Sequence, residues 1–355
     1  MEITILTETE IRDCVALNHK AISAVADGFT RLAIGEVTLP PIVRVDIPEH
    51  KGEVDVKTAY VRGFDSFAIK IASGFFENYR LGLPTGSGMM VIVSARTGVP
   101  EAVLLDNGYL TDVRTGAAGA LAAHHLARKK IDTAGVIGSG TQARYQMMAL
   151  KQVRDFRRLM VYGIIPHQVE QYAAEMAPLL GVEIVQADDA ETVVRSSDVV
   201  VTATPSREPY LKAEWLHPGL HITAMGCDSE EKQELHAGVL GRADLLVCDR
   251  KSQCFRLGEL HHGLEEGIIS QDDDIIELGE LTSGRKPGRR SDKEITICDL
   301  TGVGVQDTAI ALLAYRKATE KGLGLTLAHL STTAASLHIP PTEYPTSPLP
   351  LSCHL

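Results

Sequence analysis

The first third of the chain alternates apolar and polar residues in short extended runs. These runs, together with shorter apolar ones that follow, cover residues 41–47, 54–61, 67–72, 89–93 and 102–105. Because successive strand residues face opposite sides, the alternation predicts an antiparallel sheet with one face in water. Helices are predicted at residues 8–16, 19–34 and 110–128, and a capping box at Thr7 and Glu10 opens the first of them.

After residue 133 the pattern changes to short, continuously apolar strands that alternate with helices. The strands are predicted at residues 134–137, 159–162, 182–186, 199–203, 221–225, 245–248 and 295–299. Helices are predicted at residues 144–153, 168–180, 190–195 and 305–321. Strands of this kind are buried on both faces, which is typical of a parallel sheet covered by helices.

A glycine turn joins the first of these strands to its helix. Residues 138–143 read GSGTQA, so Gly138 permits a tight turn, Gly140 lets the backbone approach a pyrophosphate, and Ala143 keeps the helix close to the sheet. The free N–H groups of the helix would hold the phosphates. We therefore expect a dinucleotide-binding unit. The second strand ends at Gly163 without the usual acid, so the choice between NAD and NADP stays open.

The predicted fold class is α/β: a Rossmann-type, doubly wound parallel-sheet domain plus an N-terminal α+β substrate and dimerisation domain. The N-terminal domain is expected to comprise residues 1–120, with residues 305–330 returning to it. The dinucleotide-binding domain is expected at residues 121–304. Residues 331–355 are rich in proline and predict a loose tail. A cleft between two such domains is the expected site for small-molecule chemistry.

Composition excludes several classes of partner. The net charge of -11 and the absence of a basic cluster argue against nucleic acid and against an anionic membrane surface. No apolar run is long enough to span a membrane, and residues 1–10 do not resemble a signal peptide. The six cysteines are scattered without metal-binding spacing, which predicts reduced thiols in a cytoplasmic enzyme. The thirteen histidines show no ligand spacing either, so no metal is expected.

Three cationic residues in the first domain are candidates for binding an anionic substrate. Arg44 and Lys70 interrupt apolar strands, and Arg114 opens a helix of small residues. A buried cation needs a partner, and a substrate carboxylate would supply one. The alternative for each is an internal acid or a side chain that reaches water. Asp228 follows a strand of the parallel sheet, where it is either a ligand-facing carboxylate or a helix cap.

Four separated motifs together resemble the ornithine cyclodeaminase/mu-crystallin family. They are VRTGAA at residues 113–118, GVIGSGTQA at 135–143, AMGCD at 224–228 with KQELH at 232–236, and DLTGVG at 299–304 with Gln306 and Asp307. The resemblance covers roughly residues 1–325. Residues 46–60 and 104–114 are similar to ectoine-utilisation cyclodeaminases. Membership implies a homodimer with NAD, or alternatively NADP, held in the cleft.

The resemblance implies a role for particular residues. Arg44, Lys70 and Arg114 match positions that bind the substrate carboxylate, Asp228 matches the catalytic acid/base, and Lys70 is a second catalytic candidate. Thr85 matches a residue that lines the site. The cofactor would contact Gly138, Ser139, Gly140, Thr141, Gln142, Val303 and Gly304. Lys57 occupies the position of a glutamate that binds the distal amine in ornithine-specific enzymes, so a distal anion or neutral group fits better, or else Glu53 or Asp55 binds that amine.

The resulting hypothesis is a cyclodeaminase that acts on a small L-amino acid. Hydride abstraction from Cα gives an imine, a distal amine attacks it, ammonia leaves and the hydride returns. One alternative is net redox chemistry at the same site, as in an imine or ketimine reductase or an amino-acid dehydrogenase. The other alternative is a non-catalytic, crystallin-like binding protein.

Overall fold

The computed structural model describes residues 2–328, and the predicted tail at residues 331–355 lies outside them. The chain begins with a sheet whose first seven strands are β1 (Glu2–Thr7), β2 (Val37–Thr38), β3 (Val43–Ile47), β4 (Gly52–Val61), β5 (Ser66–Phe75), β6 (Gly86–Ser94) and β7 (Pro100–Leu105). Its helices are α1 (Glu8–Cys14), α2 (His19–Ala33) and α3 (Tyr109–Leu126). The capping box at Thr7 and Glu10 is present at the start of α1.

Strands β3 to β7 of this first sheet pair antiparallel, as the alternation predicted. The prediction missed β1, which pairs parallel to β7, and the two-residue strand β2. Strand β1 ends at Thr7, which also caps α1, so no turn residue marks a boundary between the strand and the helix.

The second sheet contains β8 (Thr133–Ile137), β9 (Arg158–Tyr162), β10 (Glu183–Gln186), β11 (Val199–Thr202), β12 (His221–Ala224), β13 (Leu245–Cys248), β14 (Ile276–Glu277) and β15 (Thr296–Asp299). Their order is β10-β9-β8-β11-β12-β15-β13-β14, and every neighbouring pair is parallel. The helices are α4 (Thr141–Val153), α5 (Pro166–Leu180), α6 (Ala190–Ser196), α7 (Lys251–Leu257), α8 (Glu259–Glu265) and α9 (Leu278–Thr282). The predicted Rossmann-type sheet is therefore confirmed.

The last described elements return to the first sheet. Helix α10 (Gly304–Lys321) packs against α2 and β4, and β16 (Leu325–Ala328) pairs antiparallel with β1. Helix α10 begins after the last strand of the second sheet and packs against β4 and β5 of the first. This return brings the end of the chain to the candidate site.

Helix α3 follows β7 of the first sheet and packs against β12 and β15 of the second. It is buried around almost its whole circumference. Small residues allow α3 to approach α4 closely: a Cβ added at Gly116 would lie 3.1 Å from the carbonyl oxygen of Tyr145 on α4. The side-chain amide of Gln146 on α4 also donates to the carbonyl of Thr115, at 3.0 Å. The helix that carries Arg114 is thus held rigidly against the helix that follows the glycine turn.

Every helix within residues 2–328 is too short or too polar to cross a bilayer. The five cysteines in this part of the chain, Cys14, Cys227, Cys248, Cys254 and Cys298, are buried and form no disulfide.

Candidate active site

Three buried cations converge from the first sheet and α3. Lys57 on β4 and Lys70 on β5 are directly opposed across the strand pair, so their side chains leave the same face of the sheet. Arg114 reaches this face from α3. None of the three residues is more than 6% exposed. The sequence predicted this convergence for Lys70 and Arg114.

The carboxylate of Asp307, on the first turn of α10, lies among these cations. Its Oδ2 is 3.0 Å from Nζ of Lys70, and its Oδ1 is 2.9 Å from Nε of Arg114. Asp307 is fully buried. We call Lys57, Lys70, Arg114 and Asp307 the cation cage.

Lys57 completes the cage, and no acid among residues 2–328 lies at ion-pair distance from it. Its ammonium donates to the carbonyl oxygens of Thr301 at 3.4 Å and Gly302 at 3.2 Å. Gly302 has a φ of +80°, and a Cβ there would lie 2.6 Å from Nη1 of Arg114, so only glycine fits this turn. The cage is thereby closed by the loop between β15 and α10.

Burial and charge together make the cage receptive to an anion. Burial lowers the pKa of Lys70 to about 7; the charges of Arg114 and Lys57 act in the same direction, while Asp307 opposes them. Burial alone would raise the pKa of Asp307, but Lys70, Arg114 and Lys57 hold it below its usual range. Three basic side chains therefore surround one ionised acid, and a ligand carboxylate would balance the excess positive charge.

Arg44 does not join the cage. Its guanidinium pairs with Asp46 at 2.9 Å, with Glu53, and with Asp55 at 3.7 Å. These acids approach Arg44 because β3 pairs with β4 in a register that opposes Arg44 to Asp55. Its charge is compensated in this arrangement, so a role in carboxylate binding stays a prediction.

Asp228 follows β12, and its side chain is 41% exposed. Its Oδ1 accepts a hydrogen bond from Nζ of Lys232 at 2.7 Å. Burial acts to raise the pKa of Asp228, but the charges of Lys232, Lys57 and Arg44 outweigh it and lower the pKa below the usual value. The carboxylate is therefore ionised and accessible at neutral pH, as a proton acceptor requires.

The glycine turn between β8 and α4 fits a dinucleotide pyrophosphate. Gly138 has a φ of +112°, and an added Cβ would lie 2.5 Å from the carbonyl oxygen of Ala203. Gly140 caps α4 without a side-chain hydrogen bond, and the space beside it is open for 4 Å. The first N–H groups of α4, beginning at Thr141, are thus available to phosphate oxygens.

Two side chains brace this turn in ways that the sequence did not indicate. Gln142 donates through Nε2 to Asp112 on α3 at 2.7 Å, which ties the turn to the helix of Arg114. Arg144 donates to the carbonyls of Ser139 at 2.5 Å and Gly140 at 3.2 Å. Both contacts hold the turn in position.

The remaining predicted site residues belong to other segments of the chain. Val303 caps α10, and an added Cβ at Gly304 would lie 2.3 Å from the carbonyl oxygen of Thr58. Both residues therefore adjoin the cation cage. Thr85 is exposed immediately before β6, where its carbonyl accepts from the amide of Phe75 at 2.7 Å. Cofactor and substrate contacts at these positions stay predictions.

The sequence did not assign roles to Asp307 and Lys232. Asp307 had a detectable signal, since it is an acid within the apolar helix of residues 305–321. Lys232 lies among exposed-looking charged residues, so nothing in the local pattern distinguished it.

One group of potential metal ligands occurs within residues 2–328. His261, His262 and Glu265 have ligand atoms within 4.8 Å of one another. His261 already lies 3.4 Å from Glu265, and Nε2 of His262 lies 2.8 Å from the carbonyl oxygen of Lys232. The cluster is thus satisfied by its own contacts and carries no argument for a metal.

The chain is similar in sequence and in fold to known proteins. The chain is 48% identical over 321 residues to an uncharacterized cyclodeaminase of Sinorhizobium fredii, covering 90% of this chain and 97% of that protein. The structure of Thermococcus litoralis Δ(1)-pyrroline-2-carboxylate reductase with NADH and L-proline has a TM-score of 0.86 and 31% identity, and the match covers 91% and 99% of the two chains. An archaeal alanine dehydrogenase dimer with bound NAD also has a TM-score of 0.86, at 36% identity, covering 93% and 100%.

A family model matches residues 1–322, nearly all of the described chain. This chain belongs to the ornithine cyclodeaminase/mu-crystallin family.

Proposed function

We propose that this chain is an NAD-dependent enzyme that acts at the α-carbon of an L-amino acid or of its imine. One observation carries the proposal: the ammonium of Lys232 lies 2.7 Å from Asp228 and 3.8 Å from Glu53 on β4, so Asp228 lies beside the strand that carries Lys57. A carboxylate bound in the cage would therefore hold its amino-bearing carbon near an ionised base.

Each residue has a distinct task in this scheme. Lys70 and Arg114 bind the substrate α-carboxylate, with the guanidinium offering paired N–H donors, and Lys57 lies toward the distal group of the substrate. The negative charge of Asp307 offsets the mutual repulsion of the three cations. Asp228 accepts a proton from the substrate nitrogen and returns it, a contribution that is typically about 10²–10⁴-fold in rate.

NAD is the proposed cofactor because the two solved relatives contain NADH and NAD and because the glycine turn fits a pyrophosphate. A bound NAD would supply the hydride acceptor for the α-carbon, and NADH the hydride donor. Gly138, Ser139, Gly140, Thr141 and Gln142 would hold its pyrophosphate, and Val303 and Gly304 would adjoin the nicotinamide. Gly163 directly follows β9 and offers no carboxylate to repel a 2′-phosphate, so NADP is a second candidate.

Cyclodeamination is the proposed net reaction, in keeping with the name of the S. fredii relative. The second candidate is net redox chemistry by an imine reductase or amino-acid dehydrogenase. Lys57 favours that second candidate, because a buried cation opposes the distal ammonium that cyclodeamination requires. Glu53 and Asp55 would offset this repulsion, although both already pair with Arg44.

A panel of diamino acids, monoamino acids and cyclic imines separates the candidates. Each compound is incubated with NAD or NADH while ammonia and the absorbance of reduced nicotinamide are followed together. Cyclodeamination releases ammonia without a lasting change in absorbance, whereas net redox chemistry changes it stoichiometrically. Binding of NADH without turnover of any panel member would instead support a crystallin-like binding protein.

An Asp228→Asn variant tests the assigned base. We expect it to lose turnover while retaining NADH affinity, since Asp228 lies outside the glycine turn. Turnover at the wild-type rate would remove Asp228 from the mechanism.

The proposed organisation follows the sequence. Residues 1–120 with 305–330 would form the substrate-binding and dimerisation domain, and residues 121–304 the dinucleotide-binding domain. The alanine dehydrogenase relative is a dimer, which supports a homodimer here. A cytoplasmic location and a role in ectoine-type catabolism stay predictions from the sequence.

A further inference from the structure

Lys232 forms an ionic bridge across the gap between the two sheets. Its ammonium lies 2.7 Å from Oδ1 of Asp228, on its own loop, and 3.8 Å from Oε1 of Glu53 on β4. The Lys232 side chain is only 12% exposed. The contact therefore joins the loop after β12 to the sheet that carries the cation cage.

Both ends of Lys232 are fixed in place. Its carbonyl oxygen accepts from Sγ of Cys227 at 2.6 Å and lies 2.8 Å from Nε2 of His262 on α8. Its ammonium lies 5.5 Å from the ring centroid of Phe76, within the range of a cation–π contact. A side chain held at both ends can impose one orientation on the carboxylate that it contacts.

We propose that Lys232 is a positioning residue, which directs the carboxylate of Asp228 at the substrate by bridging it to Glu53. This inference rests on the proposed function, because it assigns Lys232 a role through Asp228.

Several other charges act on the same pair. The groups that face it are Arg44, Glu53 and Lys57 from the first sheet, and His262 of α8 lies at the carbonyl of Lys232. Glu234, Glu259 and Asp299 act on the neighbouring thiol of Cys227. Burial opposes the charged form of Lys232, but Asp228 and Glu53 raise its pKa, so the bridge stays charged at neutral pH. Lys232 is the cation that contacts Asp228 directly. Removing its charge should therefore raise the pKa of Asp228 more than removing the charge of Arg44.

The test compares Lys232→Met with Lys232→Arg across the pH profile of kcat and kcat/KM. The Met variant should raise the apparent pKa of the acidic limb and lower kcat at neutral pH by about tenfold, a part of the contribution of a general base. KM should change by less than about twofold, because the cation cage that binds the carboxylate is intact. The Arg variant, which retains a charge, should recover most of kcat.

The matched control is Lys286→Met, which removes an ammonium 3.0 Å from Asp274 on the exposed surface. It should leave the pH profile unchanged. A Lys232→Met enzyme with the wild-type acidic limb and kcat would overturn the proposal.

A second measurement does not depend on turnover. The carboxyl carbon of Asp228 is followed by NMR in protein labelled with carbon-13 at aspartate, and Asp228→Asn identifies its signal. The titration midpoint should rise in Lys232→Met and return in Lys232→Arg, whereas an unmoved midpoint contradicts the inference. If wild-type protein turns over no compound, the proposed function fails, and this titration still decides the role of Lys232.

Discussion

Nζ of Lys70 lies 3.0 Å from Oδ2 of Asp307, and both side chains are almost completely buried. The pair joins the centre of β5 to the first turn of α10, which are separated by more than two hundred residues in the chain. Removing one partner of such a pair leaves an uncompensated buried charge.

Asp307→Asn should therefore lower the free energy of unfolding by about 3 kcal/mol or more. Denaturant unfolding of the two proteins measures this difference. Asp274→Asn, which breaks the exposed pair with Lys286, is the matched control and should cost less than about 1 kcal/mol. Equal decreases in the free energy of unfolding of the two variants would show that the buried carboxylate of Asp307 does not stabilise the cage.

The affinity for a carboxylate ligand should fall as pH rises from about 7, because Lys70 then loses its proton. The ligand favours the charged form and moves the decline to somewhat higher pH. Calorimetric titration of L-proline into the NADH complex, between about pH 6 and pH 9, measures the effect. Lys70→Arg should abolish the decline, since a guanidinium does not titrate in this range. A flat profile in the wild-type protein would contradict the protonation state assigned to Lys70.

The two glycines of the turn should respond differently to alanine. Gly140→Ala should fold normally, since the space beside Gly140 is open, and yet weaken NADH binding by about tenfold or more, because its methyl group occupies the pyrophosphate position. Gly138→Ala should also lower the melting temperature, as its methyl group meets the carbonyl oxygen of Ala203. Unchanged NADH affinity in Gly140→Ala would exclude this turn as the cofactor site.

Lys57→Glu should shift substrate preference toward L-ornithine. Replacing repulsion of a distal ammonium by attraction should raise the ratio of kcat/KM for L-ornithine to that for L-alanine by about tenfold, equivalent to about 1.4 kcal/mol. Lys57→Gln removes the charge without reversing it and should give a smaller change. A ratio that neither variant alters would mean that Lys57 contacts only the α-carboxylate.

Residues whose role is indicated by their neighbours in the sequence could be predicted as site residues. The glycine turn follows from the spacing of Gly138 and Gly140, and Lys70 is conspicuous because it is a cation in an apolar strand. The partners of these residues could not be predicted, because they depend on register and on distant packing. Arg44 appeared equivalent to Lys70, yet the β3–β4 register brings acids to it, while Asp307 reaches Lys70 only through the return of α10.

The central claim is that a carboxylate bound in the cation cage presents its α-carbon to the nicotinamide. A crystal structure of the protein with NADH and L-proline tests it most directly. We predict the L-proline carboxylate within hydrogen-bonding distance of Lys70 and Arg114, with the α-carbon between the nicotinamide and Asp228. A nicotinamide turned away from the cage, or a carboxylate bound elsewhere, would contradict the account.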